Sequence, residues 1–212
     1  EFYGNTPEQM PQLVEQDYDP ISVAGAIGRR ESAPADVIDE WRCNSFFTYD
    51  GVGYNTKGDA LVVLAAQPLR ELTPRSQLSN GALVLSSEQW EELKKSDNVY
   101  LTADQVEKAH GKGYVRRDGI WQPANEVVGD VWNLLSRGRD QNDYNDYAQL
   151  VNEASRNDKV MNLYFDRSGK GSLTLRFLAV NKIKYFSNIY GSKNLNLNDG
   201  RLVGVAKTGL EA

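Results

Sequence analysis

Strand patterns dominate the last quarter of the chain, and helix patterns come before them. Candidate strands cover 160–165, 173–180, 183–186 and 201–206. In the second of these, Leu173, Leu175 and Phe177 alternate with other residues, as in a strand with one face on a core. Apolar stripes over 127–135 and 144–154 predict a helical hairpin at 125–155 just before the strands. This segregation predicts an α+β fold whose mainly antiparallel C-terminal sheet packs on that hairpin.

The N-terminal part is predicted to be rich in helices and to contain one β-hairpin. A helix start at Thr6 and Pro7, with Thr6 as the cap, is followed by short helical patterns at 21–27 and 35–41. From Phe46 the pattern changes to aromatic and β-branched residues on both sides of the turn-forming segment 55–59. That pattern is typical of a hairpin.

Two similar segments follow. "ALVLSSEQWEEL" begins at residue 82 and "NVYLTADQVEKA" at residue 98. Each joins a short apolar strand to a capping box, Ser86 with Gln89 and Thr102 with Gln105. The repeat predicts two short helices packed side by side. A further hairpin is predicted around Asp118 and Gly119.

The domain organisation is predicted to be one compact unit. The chain has 212 residues and no long linker rich in Pro, Gly or Ser. Two sub-parts can be distinguished by composition. Residues 1–155 form an acidic α+β part, and residues 156–212 form a basic part rich in strands.

The segment "DRSGKGS" at 166–172 resembles a phosphate-binding loop in composition. Such a loop needs a strand before it and a helix after it, so that loop amides and the helix N-terminus both face the phosphate. Here the alternating residues 173–180 predict a strand after the segment, and the required glycine spacing is missing. We interpret the segment as a hairpin turn between antiparallel strands.

His110 is the only histidine and Cys43 the only cysteine. One histidine excludes two-histidine zinc sites within a single chain. Both residues lie at predicted helix ends, where a histidine is favoured by the helix dipole. We therefore do not expect a catalytic Cys–His pair.

Three groups of carboxylates are candidate metal ligands: Asp17 with Asp19, Asp36 with Asp39 and Glu40, and Asp140 with Asp143 and Asp146. The second group lies opposite the apolar face of a helix, and Asp140 and Asp143 fit a helix start. None follows the calcium-loop pattern of an EF-hand. We predict no metal and no cofactor.

The compartment is predicted from the cysteine count and from hydropathy. A single cysteine fits a reducing compartment, and hence the cytoplasm. The longest apolar run, 60–66, is far shorter than the roughly 18 residues of a membrane span, so no membrane partner is expected. The chain begins at Glu1 rather than Met, which leaves a removed signal peptide open.

Charge is distributed unevenly along the chain. Residues 156–212 contain ten Lys or Arg and four Asp or Glu, a net of +6, within a chain of net charge −5. We favour docking of this basic part on carboxylates of the acidic part. The alternative leaves it exposed beside aromatic rings, as in sheets that bind single-stranded nucleic acid. The candidate binding residues are Arg176, Lys182, Lys184, Tyr185, Phe186 and Tyr190.

These patterns predict a soluble, non-enzymatic binding or interaction protein of unknown specificity. The partner would be an unknown protein or a second copy of the chain, and nucleic acid is less favoured. The absence of a catalytic motif weighs against enzymatic activity. The alternatives are a small enzyme that uses carboxylate, tyrosine or lysine groups, and a single-stranded nucleic-acid binder that uses the basic C-terminal sheet.

Overall fold

A computed structural model describes residues 1–138, 140–166, 171–196 and 201–206. The fold is α+β. In the described residues no helix has the length and apolar character needed to cross a membrane. The helices are α1 Thr6–Glu15, α2 Val23–Ser32, α3 Ile38–Cys43, α4 Gln67–Arg70, α5 Ser87–Leu93, α6 Ala103–Ala109, α7 Glu126–Leu135 and α8 Gln141–Ser155, with a 3₁₀ turn at Ile183–Tyr185.

Most strands belong to one mixed sheet. Its main path runs β1-β13-β3-β11-β12-β10-β8-β9, and β4, β5, β6 and β7 join it at the side. The strands are β1 Phe2–Tyr3, β2 Tyr18–Pro20, β3 Phe46–Tyr54, β4 Ala60–Val63, β5 Leu78–Ser79, β6 Ala82–Val84, β7 Asn98–Leu101, β8 Lys112–Arg117, β9 Ile120–Pro123, β10 Lys159–Phe165, β11 Thr174–Val180, β12 Ile189–Gly191, β13 Arg201–Leu202 and β14 Gly204–Ala206.

The sheet does not form from the C-terminal part alone. β3 pairs antiparallel with β11 from Tyr54–Thr174 to Phe46–Val180, so an early strand lies beside a late one at the centre. Most pairings are antiparallel, but β10 with β12 and β13 with β3 are parallel. The predicted separation into an early helical part and a late sheet is therefore wrong, because long-range pairing decides where each strand lies.

Two hydrophobic cores lie on opposite faces of the sheet. The first core contains Val52 and Tyr54 of β3, Leu163 of β10, and helices α6, α7 and α8. The second contains Phe47 of β3, Phe177 of β11, and helices α1, α4 and α5. Alternation along β3 and β11 divides their side chains between the two cores.

Several elements predicted from local sequence patterns are present in the structure. The hairpins β3–β4 and β8–β9 form as predicted, and Asp118 and Gly119 both have positive φ in the second turn. Both capping boxes, at Ser86 and Thr102, are present. Their helices are not side by side, however. Trp90 of α5 lies in the second core and Val106 of α6 lies in the first, because β7 between them crosses to a position beside β4.

Several predicted elements differ in type or boundary. The N-cap of α1 is Asn5 rather than Thr6. Residues 183–185 form a 3₁₀ turn instead of a strand, and Phe186 ends it at φ 68°. The Asn-rich, polar sequence of residues 188–200 predicts a surface loop, but residues 189–191 form a strand, β12. Short elements of this kind depend on their neighbours more than on local pattern.

Candidate functional site

Arg176 is a buried structural residue. Its Nη2 lies 2.9 Å from Oδ2 of Asp166, and the two side chains are 4% and 11% exposed. Nη2 also donates to the carbonyl of Asn80 at 2.7 Å, and Nη1 donates to the carbonyl of Lys193 and to Oδ1 of Asn194. The guanidinium thus joins β11 to two loops. The carboxylate comes from the basic part itself, so the prediction that Arg176 would pair with a carboxylate of the acidic part is wrong, although Arg176 does contact that part at Asn80.

The 3₁₀ turn that follows the C-terminal end of β11 contains or adjoins four of the predicted binding residues, Lys182, Lys184, Tyr185 and Phe186. The ammonium of Lys182 lies 4.3 Å from the centre of the Tyr185 ring, in cation–π geometry. Lys184 is exposed, and 51% of Tyr185 is exposed. Within the described residues neither lysine forms an ion pair with a carboxylate. We call these four residues the lysine–tyrosine projection.

The predicted binding residues do not form a single surface. Arg176 and Lys182 are six positions apart along and just beyond β11, which corresponds to roughly 20 Å of extended chain. Tyr190 lies on β12, where it is paired with Ala179 near the C-terminal end of β11, and its ring stacks on that of Tyr164 in β10. The structure therefore separates the predicted set into one buried residue, one projection and Tyr190.

Tyr190 belongs to a row of side chains that crosses the sheet. It faces Tyr164 of the parallel strand β10, and the two rings stack at 4.7 Å with an interplanar angle of 9°. The His110 ring meets Tyr164 edge-on at 5.5 Å, and its Nδ1 accepts from the amide of Phe165 at 3.3 Å. The Lys193 ammonium lies 5.7 Å from the Tyr190 ring centre. Burial and the neighbouring phenol raise the pKa of Tyr164.

The row begins at the edge of the second core, against which Tyr190 packs, and extends onto strands that this core does not cover. That core includes residues of β3, β4, β6 and β11 and ends at Tyr190, and within the described residues it includes none from β8, β9 or β10. In β8 and β9 the register places the neighbours of Tyr114 and Trp121, which face the first core, on the uncovered side. In β10 the alternation shifts at Met161, which has φ 59° and belongs to the first core together with Val160. Tyr164, between Leu163 and Phe165 of that core, therefore lies on the same uncovered side as Lys159. We call this surface the open sheet face. Its residues are Val115, Arg117, Ile120, Gln122, Lys159, Tyr164 and Tyr190.

Cys43 and His110 lie in different regions. Cys43 is exposed at the end of α3, which contacts the 3₁₀ turn at 183–185. That turn lies beside Met161, whereas His110 contacts Phe165, four residues further along β10. Four residues of strand span roughly 13 Å. The arrangement gives no support to a catalytic pair.

Other buried charged groups have structural partners. Asp50 accepts from the amide of Val23 at 2.7 Å and from that of Ala65 at 3.1 Å, so it fixes the start of α2. Arg30 donates to Tyr147, Ser187 and two carbonyls. Among the described residues no group of three or more His, Cys, Asp or Glu side chains is arranged to hold a metal ion.

Residues 171–173 lead into β11, which begins at Thr174, so no helix follows the segment 166–172. Residues 167–170 lie outside the described part of the chain. β10 and β11 run antiparallel, but β12 lies between them. The hairpin prediction is therefore wrong, while a strand follows the segment as predicted. The pairing with β12 could not be foreseen, because that strand was predicted to be a loop.

Sequence reasoning missed several residues of the row. Tyr164 lies in a predicted strand whose alternation with Leu163 and Phe165 would have placed it on the face away from the core. His110 was interpreted only as a helix-end residue, although a bridge joins it to Leu163. No local signal indicates that pairing, since 53 positions separate the two residues.

Comparison with known proteins identifies a fold rather than a family. No protein-family model and no curated protein matches the sequence. A solved structure is similar, with a TM-score of 0.64 and 14% identity, over 96% of this chain and 93% of the other. It is described as "Accommodation of massive sequence variation in Nanoarchaeota by the C-type lectin fold". This likeness indicates that the chain has a C-type lectin fold.

Proposed function

We propose that this chain is a non-enzymatic binding protein that functions as one unit. The observation that carries the proposal is its likeness, over nearly the whole chain, to a C-type lectin fold. The pairing of β3 with β11 supports a single unit, because strands from both compositional parts share the sheet centre. Function depends on the residues of a site rather than on the fold, so exposed residues of this chain indicate where the binding surface lies.

Two exposed surfaces are candidates for ligand contact. Tyr190, with Tyr164 and Lys193 beside it, combines aromatic area with a cation. The lysine–tyrosine projection, which follows the C-terminal end of β11, does the same. Tyrosine and arginine are enriched where binding energy concentrates, since a tyrosine gives a large contact area with little loss of side-chain freedom. Arg176 supports the scaffold and is not part of the proposed surface.

The similar structure suggests how such surfaces could vary. Its description states that the C-type lectin fold accommodates massive sequence variation. We propose that this chain shares that tolerance at exposed positions such as Lys184 and Tyr185. These side chains make few buried contacts, and surface substitutions usually change the free energy of unfolding by less than about 0.5 kcal/mol.

A panel of probes tests the proposal. The labelled chain would be titrated against arrays of polysaccharides, single-stranded oligonucleotides and folded proteins, and each bound probe would be recovered for mass spectrometry. We expect saturable binding to at least one class, with the mass of the probe unchanged. A probe recovered cleaved or modified would support the alternative, an enzyme that uses carboxylate, tyrosine or lysine groups.

Variants of the two surfaces locate the contact. Tyr190→Ala removes the central ring of the row, and Tyr185→Ala removes the ring of the projection. We expect Tyr190→Ala to weaken binding more, because Tyr190 lies in a wider surface. The converse result would move the site to the projection. Binding to single-stranded oligonucleotides that weakens with salt, and that is lost when Lys182 and Lys184 are neutralised, would support the alternative of a nucleic-acid-binding protein.

A further inference from the structure

The open sheet face has an unusual combination of exposure and composition. Ile120 is 58% exposed, and Val115, Tyr164 and Tyr190 are only partly buried. Among the described residues, Val115, Ile120 and Tyr164 belong to neither core, and Tyr190 packs at the edge of the second core. A surface of apolar and aromatic groups that stays uncovered in a folded chain is typical of an interaction site.

Charge gives this face a preferred partner. Arg117 and Lys159 are exposed on it, and Lys193 lies at its rim over the Tyr190 ring. Strands β8, β9, β10 and β12 contain no Asp or Glu. The carboxylates nearest in sequence are Asp118 and Asp158, at strand ends, and Asp166, which is paired with Arg176. The face is therefore basic although the whole chain has a net charge of −5.

The ring geometry favours a protein over a nucleic acid. Binding of single strands uses open aromatic faces on which bases stack. Here Tyr164 and Tyr190 stack on one another, and the Lys193 ammonium lies over Tyr190. The pair thus offers ring edges and hydroxyl groups to a partner. Protein interfaces use tyrosine in this way, with an apolar centre and a polar rim.

We infer that the open sheet face docks a protein partner whose contact patch is apolar at its centre and carries carboxylates at its rim. The apolar centre would cover Ile120 and Val115, and the carboxylates would meet Arg117 and Lys159. This inference rests on the proposed binding function and adds the surface and the chemistry of the partner. Complementary charge of this kind speeds association and selects against basic partners.

Acidic polypeptides provide a direct test. The probes are a random copolymer of glutamate and tyrosine, polyglutamate, and a mixed-sequence single-stranded oligonucleotide. The chain is compared with Arg117→Glu/Lys159→Glu and with a matched control, Lys57→Glu/Lys108→Glu, which changes the net charge equally at exposed sites outside the face. Circular dichroism and thermal unfolding confirm that both variants fold.

We expect the copolymer to bind more tightly than polyglutamate, because the copolymer also provides aromatic contact. The face variant should bind the copolymer at least about tenfold more weakly than the unmodified chain, and the control variant within about twofold of it. The double variant Tyr164→Ser/Tyr190→Ser should weaken binding of the copolymer more than it weakens binding of polyglutamate. A second copy of the chain as the occupant would appear as concentration-dependent dimers in sedimentation, and that result would overturn the assignment of a separate partner.

The failures of the two proposals can be told apart. Equal loss of copolymer binding in the face and control variants would overturn the assignment of this surface but leave a binding protein. Tighter, face-dependent binding of the oligonucleotide would overturn the class of partner. Failure of both acidic polypeptides to bind would also overturn the inference, whereas the proposed function would still be decided by the polysaccharide and protein arrays.

Discussion

Two stacked tyrosine pairs show how differently the two faces of the sheet are used. Tyr114 and Tyr144 stack at 5.6 Å inside the first core, where Tyr114 also meets Trp132 edge-on. Tyr164 and Tyr190 stack at 4.7 Å on the open sheet face, where both remain partly exposed. The same chemistry stabilises the core in one place and remains accessible in the other. The Tyr164–Tyr190 pair should contribute less to the stability of the fold, and it is therefore the better candidate for binding a partner.

Removal of the buried ring should have the largest effect. Tyr114→Ala would empty a site that is 2% exposed, and we expect it to lower the free energy of unfolding by about 3–5 kcal/mol. Tyr114→Phe keeps the ring and should cost less than about 1.5 kcal/mol. Denaturant titration of both variants measures the difference. Similar losses in the two variants would show that the hydroxyl, rather than the ring, stabilises the core.

The buried ion pair gives the second comparison. Asp166→Ala would leave Arg176 buried without its carboxylate, and we expect a loss of about 3 kcal/mol. The matched control is Asp19→Ala, which breaks the pair with Arg70, whose side chains are 21% and 34% exposed. That change should cost about 0–1 kcal/mol. Equal losses would contradict the structural role assigned to Arg176.

Alkaline pH should destabilise the fold through its buried tyrosines. Burial raises the pKa of Tyr54 and Tyr114 far above the usual value near 10. Above pH 10 the unfolded chain releases these protons and the folded chain keeps them. The free energy of unfolding is therefore unaffected below pH 10 and falls as pH rises above it. Denaturant titration at several pH values should show that the free energy of unfolding falls less steeply with pH in Tyr114→Phe than in the unmodified chain. The same dependence on pH in both proteins would contradict a contribution from the Tyr114 hydroxyl.

Local features of this fold could be predicted from the sequence, and long-range ones could not. The capping boxes at Ser86 and Thr102 and the turn at Asp118 depend on neighbouring residues, and all three are present. The opposite placement of α5 and α6 depends on where β7 pairs. The burial of Arg176 likewise depends on Asn80, almost a hundred positions away. Hydrophobic periodicity therefore predicted that helices and strands are both present, while the binding surface required the register of the strands.

The exposed tyrosine pair should be the smallest contributor to stability, and a double-mutant cycle can measure it. Tyr164→Ala and Tyr190→Ala remove rings that keep solvent contact in the folded state, so each should cost less than Tyr114→Ala. Their coupling energy should be about 0.5–1.5 kcal/mol, the usual contribution of an aromatic pair beyond its buried area. A coupling energy near zero would mean that the two rings do not stack in solution. A loss by either variant as large as that of Tyr114→Ala would mean that the open sheet face is part of the core, and the distinction between the two pairs would no longer hold.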